Sequence, residues 1–196
     1  MTAALLDHPS STVTARPARH AGGHDLDGAW IIDAQASRVA FSGRTSRFLP
    51  AVAARFPDVS GGLDVDVQAG TVDIEVDIEV ATVTSGNPLW DEMIDAADPF
   101  AAHDHPLAFF RGGADGLGVA LSGAGVAAIS GHLTLRGIER PLALTARWTP
   151  QRSGLHIVAE GTVDRNDYGL RLDVPGLSRL MPRQMTVTIE MLAVPA

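Results

Sequence analysis

His103, Asp104 and His105 are the side chains whose types and spacing best suit a metal ion in this sequence. In an extended chain, residues two apart lie on the same face, so both imidazoles could reach one ion while the carboxylate orients one ring. A zinc site needs at least one further protein ligand, and His132 and His156 lie on other predicted strands. We therefore predict no metal and no other cofactor, with a metal-dependent hydrolase as an alternative.

Two further motifs match catalytic or nucleotide-binding patterns only in part. The run GAGVAA from Gly123 to Ala128 has suitable glycines for a dinucleotide, but it lies between β patterns and opens no helix for a pyrophosphate. Ser122 and Ser130 lie near glycines without the Gly-x-Ser-x-Gly elbow of hydrolases. The sequence has no lysine and no cysteine, which excludes Schiff-base and thiol catalysis. We predict that the protein is not an enzyme.

Arg165, Asp167 and Tyr168 form a compact polar group near the C-terminal part of the sequence. Arginine and tyrosine both donate hydrogen bonds, so Arg165 and Tyr168 are candidates to bind the polar head of a ligand. The alternative role is structural, with an Arg–Asp pair bracing a turn.

The elements that position these residues are predicted to be strands, and the segment from Thr71 to Val83 has the clearest strand pattern. It reads TVDIEVDIEVATV, with aliphatic residues at even positions and carboxylates at odd positions between 72 and 80. Successive strand side chains point to opposite faces, so one face is predicted to be buried and the other wet. Carboxylates two apart on a strand do not converge on one ion, so this row is predicted to be a solvated outer face.

About eight or nine such strands, separated by turn signals, indicate an antiparallel sandwich or barrel. Between them we expect a turn or two of helix or a loop over 44–56, and a turn over 58–62. A short helix is predicted from Pro88 and ends before Pro99, and residues 117–122 are predicted to be a strand. A closed barrel of about eight strands has room for one small ligand.

The overall charge and the N-terminal composition limit the class of partner and the location. The formal net charge of -8 argues against a nucleic-acid partner, and no apolar run approaches the ~20 residues of a membrane span. Residues 1–27, rich in Ser, Thr, Pro, Gly, His and Arg, are predicted to be a mobile tail before one domain over 28–196. The first residues lack the basic and apolar regions of a signal peptide, which predicts a cytoplasmic protein.

Four stretches, in order, are together similar to the YceI-like, polyisoprenoid-binding proteins. Residues 30–42 resemble the family's opening strand pair, and residues 80–110 resemble its central passage with TSGN, a short helix, Asp-x-Phe and a Phe strand. Residues 129–144 resemble its Gly-x-Leu-Thr-x-Arg-Gly hairpin, and residues 163–170 match its Arg-x-Asp-Tyr-Gly motif. The resemblance covers 29–194, nearly everything after the predicted tail.

The resemblance implies an all-β fold, an extended antiparallel eight-stranded lipocalin-like barrel with one to three short helices. It also implies a non-catalytic carrier or sequestering protein, whose apolar interior binds a long isoprenoid such as a quinone tail, or a similar amphipathic lipid. Buried apolar surface, at ~25 cal/mol per Å², could supply affinity with few polar contacts. A barrel filled by its own side chains, acting as a structural or interaction module, is a further alternative, and a homodimer is compatible with such a barrel.

The larger apolar side chains are the candidates to line the interior or its mouth, with Arg165 and Tyr168 at the head group. These candidates are Phe41, Phe48, Phe56, Trp90, Met93, Ile94, Phe100, Phe110, Trp148, Leu180 and Met181. Ordinary core packing is the alternative role of each.

Overall fold

The computed structural model describes residues 26–43, 52–117, 121, 123–171 and 182–196. Strands account for most of these residues. They are β1 (Gly28–Ile32), β2 (Arg38–Gly43), β3 (Val52–Phe56), β4 (Val59–Asp66), β5 (Thr71–Glu79), β6 (Leu107–Ala114), β7 (Gly125–Leu135), β8 (Ile138–Gln151), β9 (Gly154–Asp164) and β10 (Gln184–Pro195). Helix α1 spans Pro88–Ala97, and short 3-10 turns cover Ala34–Ala36, Val80–Thr82 and Arg165–Tyr168.

The strands form one antiparallel sheet that closes on itself. Neighbours follow the order β1-β4-β5-β6-β7-β8-β9-β10, and β10 returns to pair with β1. Along the same edge of β10, β2 pairs next to β1, and β3 in turn pairs with β2. β1 and β2 therefore act as two halves of one bent strand, and so do β3 and β4. The closed circuit has eight strands, which confirms the predicted antiparallel barrel.

The bend between β1 and β2 is held against β10 from both sides. The backbone N–H of Asp33 donates to the Leu192 carbonyl over 2.8 Å, and the Ser37 Oγ accepts from the Leu192 N–H over 3.1 Å. Within the bend, the Asp33 carboxylate accepts from the Gln35 N–H over 2.9 Å. The first strand changes direction here without leaving the edge of β10.

β5 has the two faces that its alternating sequence predicts. Val76 and Ile78 are buried in the barrel, whereas the carboxylates point outward. Arg111 of β6 lies beside this row, with its Nη2 2.6 Å from Asp77 Oδ1 and its Nε 3.7 Å from Glu75 Oε1. The acidic row is thus an outer face with an arginine as counter-ion.

Three local predictions are wrong. Residues 52–56 form strand β3 where we expected a helical turn or a loop, because they pair with β2 over their full length. The turn expected over 58–62 is shorter, since Pro57 and Asp58 alone separate β3 from β4. Gly61 and Gly62 belong to β4, where a Cβ on either glycine would collide with the backbone of a neighbouring strand. The glycine pair resembles a turn sequence, but these positions are glycine because the neighbouring strands approach the backbone of β4 too closely for a side chain.

The third error concerns the strand predicted over 117–122. Leu117 lies outside any strand and Leu121 lies in a 3-10 turn, while 118–120 and 122 are outside the described residues. Both leucines face the interior of the barrel, where Leu121 is 3 % exposed. Their apolar character therefore reflects burial of a connecting loop.

Helix α1 begins and ends as predicted. The Asn87 Oδ1 accepts from the Leu89 N–H over 3.0 Å, and Pro88 occupies the first turn. No helix among the described residues is long and apolar enough to cross a membrane. Leu26, at the end of the range predicted to be a mobile tail, is buried, and residues 1–25 lie outside the described part of the chain.

Candidate functional site

The barrel has two ends that carry different elements. One end, which we call the helix end, carries α1, the turn at Arg136–Gly137 and the 3-10 turn Arg165–Tyr168. The opposite end, which we call the far end, carries the turns over 67–70 and 152–153. Strand β8 begins at the helix end and finishes at the far end, so the turns before and after it lie at opposite ends of the barrel.

The side chains that point into the barrel are apolar. Apart from the rings of Trp30, Trp148 and Tyr168, Ser37 is the one buried side chain with a polar group among the described residues, and its hydroxyl accepts a backbone hydrogen bond. Burying a charged or polar ligand group requires partners for it, and this interior offers almost none. The interior therefore suits an apolar ligand or its own packing.

A cavity of about 40 Å³ with an apolar lining lies at the far end of the barrel. Leu63 and Ile74 form part of one wall, while Ala146, Trp148 and Ile157 form part of another. The indole N–H of Trp148 donates to the Gly123 carbonyl over 2.8 Å, so the polar atom of this ring is satisfied outside the cavity. Of the predicted lining residues that the structure describes, Trp148 borders this space.

Three of the predicted aromatic residues pack together between β2, β3 and the loop after α1. The ring centroids of Phe41 and Phe56 are 5.6 Å apart, and those of Phe56 and Phe100 are 5.1 Å apart, both edge to face. All three side chains are buried. This aromatic cluster joins the bent strand pair to the segment that follows the helix.

The remaining apolar candidates divide into three groups. Phe110 is buried inside the barrel on β6. Trp90, Met93 and Ile94 are half-buried on α1, a helix with no fully buried residue. The other candidates, Phe48, Leu180 and Met181, lie outside the described residues. A ligand-lining role for any of these residues stays a prediction.

The start of α1 is held by the Asp91 carboxylate. Its Oδ1 accepts from the Ser85 N–H and the Ser85 hydroxyl, each over 2.6 Å, and its Oδ2 accepts from the Thr84 hydroxyl over 2.7 Å. The Ser85 hydroxyl hydrogen bond, then that of Thr84, holds the pKa of Asp91 below its usual 3.8. Thr84 also pairs with Arg55 of β3 through two backbone hydrogen bonds of 2.9 Å. Asp91 thus connects the helix to the sheet.

We expect Asp91→Asn to increase hydrogen exchange of the backbone amides of α1 several-fold. The amide side chain cannot accept all three hydrogen bonds with the strength of a carboxylate. The pKa of Asp91 is lower in the folded protein than its ordinary value of 3.8. The stability that the ionised carboxylate adds is therefore fully present above pH 3.8, and it is lost as the pH falls through the pKa of the folded state. Hydrogen exchange measured by mass spectrometry on residues 88–97 reports this change.

Glu92→Gln is the matched control, since it removes one charge from the exposed neighbouring position. Exchange in the Glu92 variant should equal that of the wild-type protein. Equal protection of α1 in the two variants would show that Asp91 does not hold the helix.

Arg165 and Tyr168, predicted to contact a head group, have different surroundings. The Arg165 Nη1 donates to the Leu170 carbonyl over 2.9 Å, which braces the loop after the 3-10 turn. Asp167 is exposed and Tyr168 is 2 % exposed, packed with the hydrophobic core. Burial, followed by the Asp167 charge, raises the pKa of Tyr168 to about 12, which Arg140 partly opposes.

We expect the tyrosinate absorbance at alkaline pH to have its midpoint near pH 12, not at the ordinary value of 10.0. Tyr168 is the single tyrosine of the chain, so absorbance at the tyrosinate band reports it alone. A raised pKa means that the folded protein keeps the proton longer, so stability is complete below pH 10 and falls between pH 10 and 12. Tyr168→Phe should remove this part of the decline, and a native midpoint of 10 would mean that the ring is solvated.

A solvent-open pocket of about 510 Å³ at the helix end, with both polar and apolar residues in its wall, was not predicted from the sequence. We call it the arginine pocket, after Arg136 and Arg171 in its wall. The other residues in its wall are Ala101, Asp104, His105, Ile138, Tyr168 and Gly169. The Arg136 guanidinium donates to the Gly169 carbonyl, and its Nε is buried without a hydrogen-bond partner among the described residues. Arg136 also has a left-handed backbone, with φ 54°, which is uncommon for a residue with a side chain.

The three residues predicted as a possible metal site have no further ligand beside them among the described residues. His103, Asp104 and His105 are exposed in the loop after α1, and His105 lies against Gly137. Among the described residues, no group of three or more His, Asp or Glu side chains is placed to hold a metal ion. Gly125, in the glycine run, begins strand β7 and no helix, so the dinucleotide pattern has no structural counterpart.

Comparison with known proteins gives one family and several solved structures. The model of the YceI-like domain matches residues 30–193. Among curated proteins, none matches the chain significantly.

The solved structures that resemble this chain share its fold at low identity. A polyisoprenoid-binding domain from Saccharophagus degradans, implicated in plant cell wall breakdown, is 18% identical with a TM-score of 0.65, over 85% of this chain and 98% of that one. BcnA of Burkholderia cenocepacia is 15% identical with a TM-score of 0.67, over 83% and 99%. The YceI protein of Campylobacter jejuni is 19% identical with a TM-score of 0.59, over 76% and 86%.

Proposed function

Because the chain belongs to the YceI-like domain family, we propose that it binds an isoprenoid, such as a quinone, or a similar amphipathic lipid inside its barrel. It acts as a non-catalytic carrier or sequestering protein. The observation that carries this proposal is a closed barrel whose described interior is apolar and surrounds a small apolar cavity. The description of the Saccharophagus degradans domain as polyisoprenoid-binding supports the same ligand class.

The affinity comes from apolar contact. An isoprenoid tail gains about 0.8 kcal/mol for each methylene removed from water, and the far end supplies aliphatic and aromatic walls without competing polar groups. A repeating, flexible chain needs length and dryness more than directed hydrogen bonds. The apolar rows of the barrel meet the second requirement, and the length must come from movement of the interior side chains.

Uptake requires the interior to adapt. The cavity of about 40 Å³ is smaller than ligand pockets of about 300–1,000 Å³, so side chains must move apart as the tail enters. Met185 and Met191 of β10 are buried in the same core, and methionine is the apolar side chain that changes rotamer most readily. We expect these two residues to make room for the tail.

Native mass spectrometry of the purified protein, beside analysis of its organic-solvent extract, tests the proposal. We expect one lipid of defined mass per chain, or stoichiometric uptake of an added isoprenoid quinone. Uptake should quench the emission of Trp30 and Trp148, which are both buried in the barrel. A protein that repeatedly carries no lipid and takes up no quinone would refute the carrier function.

The small size of the far-end cavity favours one second candidate, a barrel filled by its own side chains that serves as a structural or interaction module. Its interior would exclude ligands, and its outer surface would bind a partner. The same uptake experiment separates the two functions, because a filled barrel binds no quinone as long as the protein stays folded.

A further inference from the structure

We propose that three leucines at the far end of the barrel, Leu26, Leu117 and Leu121, set the length of isoprenoid tail that the protein accepts. This inference rests on the proposed function, since it names the chain-length class of the same cargo. The three side chains line the far-end cavity, and none of them lies on a strand. We call them the floor leucines.

Leu26 is held at the far end from two sides. Its side chain is 2 % exposed, and its backbone carbonyl accepts from the indole N–H of Trp30 over 3.0 Å. The carboxylate of the next residue, Asp27, accepts from the Val67 N–H over 3.0 Å, which ties the same segment to the turn after β4. Leu26 precedes the residues that match the YceI-like domain, so the matched domain alone does not supply this part of the floor.

Leu117 and Leu121 reach the same place from the connection between β6 and β7. The Leu117 N–H donates to the Gly70 carbonyl over 2.8 Å, in the turn that also binds Asp27. Leu121 is 3 % exposed, and shortly after it the Gly123 carbonyl accepts from the Trp148 indole. Displacing Leu26 or Leu117 would break a hydrogen bond to the rest of the barrel, so the floor leucines lie in fixed positions.

The side walls of the barrel are built differently. They consist of strand side chains such as Leu63, Ile74 and Ile157, which can change rotamer while the sheet keeps its hydrogen bonds. Helix α1, at the opposite end, has no fully buried residue, which favours entry of a tail there. A tail that follows the walls toward the far end meets the floor leucines last.

The length limit follows from burial of apolar surface. Each isoprene unit that the barrel covers removes more apolar surface from water, so affinity rises with the number of units. The rise ends when the last unit touches the floor leucines, because any further unit stays outside the barrel. The accepted length is therefore the shortest tail that reaches the maximal affinity.

Competition between prenyl alcohols of increasing length, from geraniol to solanesol, tests the inference when the bound species are weighed by native mass spectrometry. The variants are Leu117→Ala and the double variant L26A/L117A. A leucine-to-alanine change removes three carbons, so the double variant removes six, close to the five carbons of one isoprene unit. The control is L133A/L135A, which removes the same volume from two buried leucines of β7 near the helix end.

We expect the wild-type protein and the control to prefer the same length. L26A/L117A should prefer the alcohol that is one unit longer, by at least fivefold over the wild-type preference, and L117A alone should shift this ratio at least twofold. A second measurement needs no variant. A prenyl alcohol of the preferred length with a diazirine on its last unit should, on illumination, label peptides that contain Leu26 or Leu117 in the wild-type protein.

The inference is overturned if L26A/L117A keeps the length preference of the control, or if the terminal diazirine labels neither peptide. The labelling result decides alone if the double variant does not fold. Failure of the proposed function gives a different result, in which the wild-type protein binds no prenyl alcohol of any length, and the length limit is then refuted with it.

Discussion

Replacing Phe56 with alanine should lower the free energy of unfolding by about 3–5 kcal/mol. Phe56 is 1 % exposed, and its ring contacts Phe41 and Phe100 edge to face. Truncation removes the ring on which both neighbours pack and leaves a cavity where three chain segments meet. Urea denaturation followed by tryptophan emission measures the loss.

Phe109→Ala is the matched control for this prediction. Phe109 lies on β6 and points to the outer face, where its ring centroid is 5.5 Å from the Arg111 guanidinium carbon. A partly exposed cation–π contact contributes about 0.5–1 kcal/mol, so this variant should lose no more than that. Equal losses in the two variants would mean that the aromatic cluster does not stabilise the barrel.

Replacing Ala146 with leucine should raise stability and weaken lipid uptake, two effects of opposite sign. Ala146 is 4 % exposed and borders the far-end cavity. Added methyl groups that fill existing space typically stabilise a protein by about 0.5–2 kcal/mol, while they remove the volume that a lipid tail would occupy. We expect at least a tenfold loss in quinone affinity, measured by quenching of tryptophan emission.

Ala143→Leu places the same side chain on the opposite face of the same strand. Ala143 is exposed on the outer face of β8, so neither stability nor uptake should change appreciably. If Ala146→Leu takes up quinone as well as Ala143→Leu does, the tail does not reach the far end.

The alternation of apolar and polar residues was sufficient to predict most of the strands, whereas the closed barrel, as opposed to a sandwich, was implied by the resemblance to the YceI-like family. β5 and the long strands β8, β9 and β10 keep this alternation over their length, and two-residue periodicity has no helical equivalent. The predictions were wrong where a short sequence resembled a turn or loop but the folded chain pairs it with a neighbouring strand. Gly61 and Gly62 read as a turn, but the close approach of neighbouring strands requires them within β4.

Part of the candidate site could likewise be predicted from the sequence, and part could not. Buried apolar residues of the barrel interior, such as Phe110 and Trp148, could be predicted from the sequence because burial follows residue type. The arginine pocket could not, since His105, Arg136 and Arg171 come from three separate connections that meet only at the helix end. Arg136 precedes a glycine in an ordinary turn sequence, and its positive φ appears only in the folded chain.

Closure of the barrel through β10 determines when the chain can fold. Ser37 and Leu192, joined by a hydrogen bond at the seam, are 155 residues apart in sequence. During synthesis, the first strands leave the ribosome long before the strand that completes their pairing, and their edges stay open to other chains meanwhile. Such distant contacts also slow folding. The newly made protein can close its barrel only after β10 has been synthesised and has paired with β1 and β2. Aggregation competes with folding during the interval before this pairing.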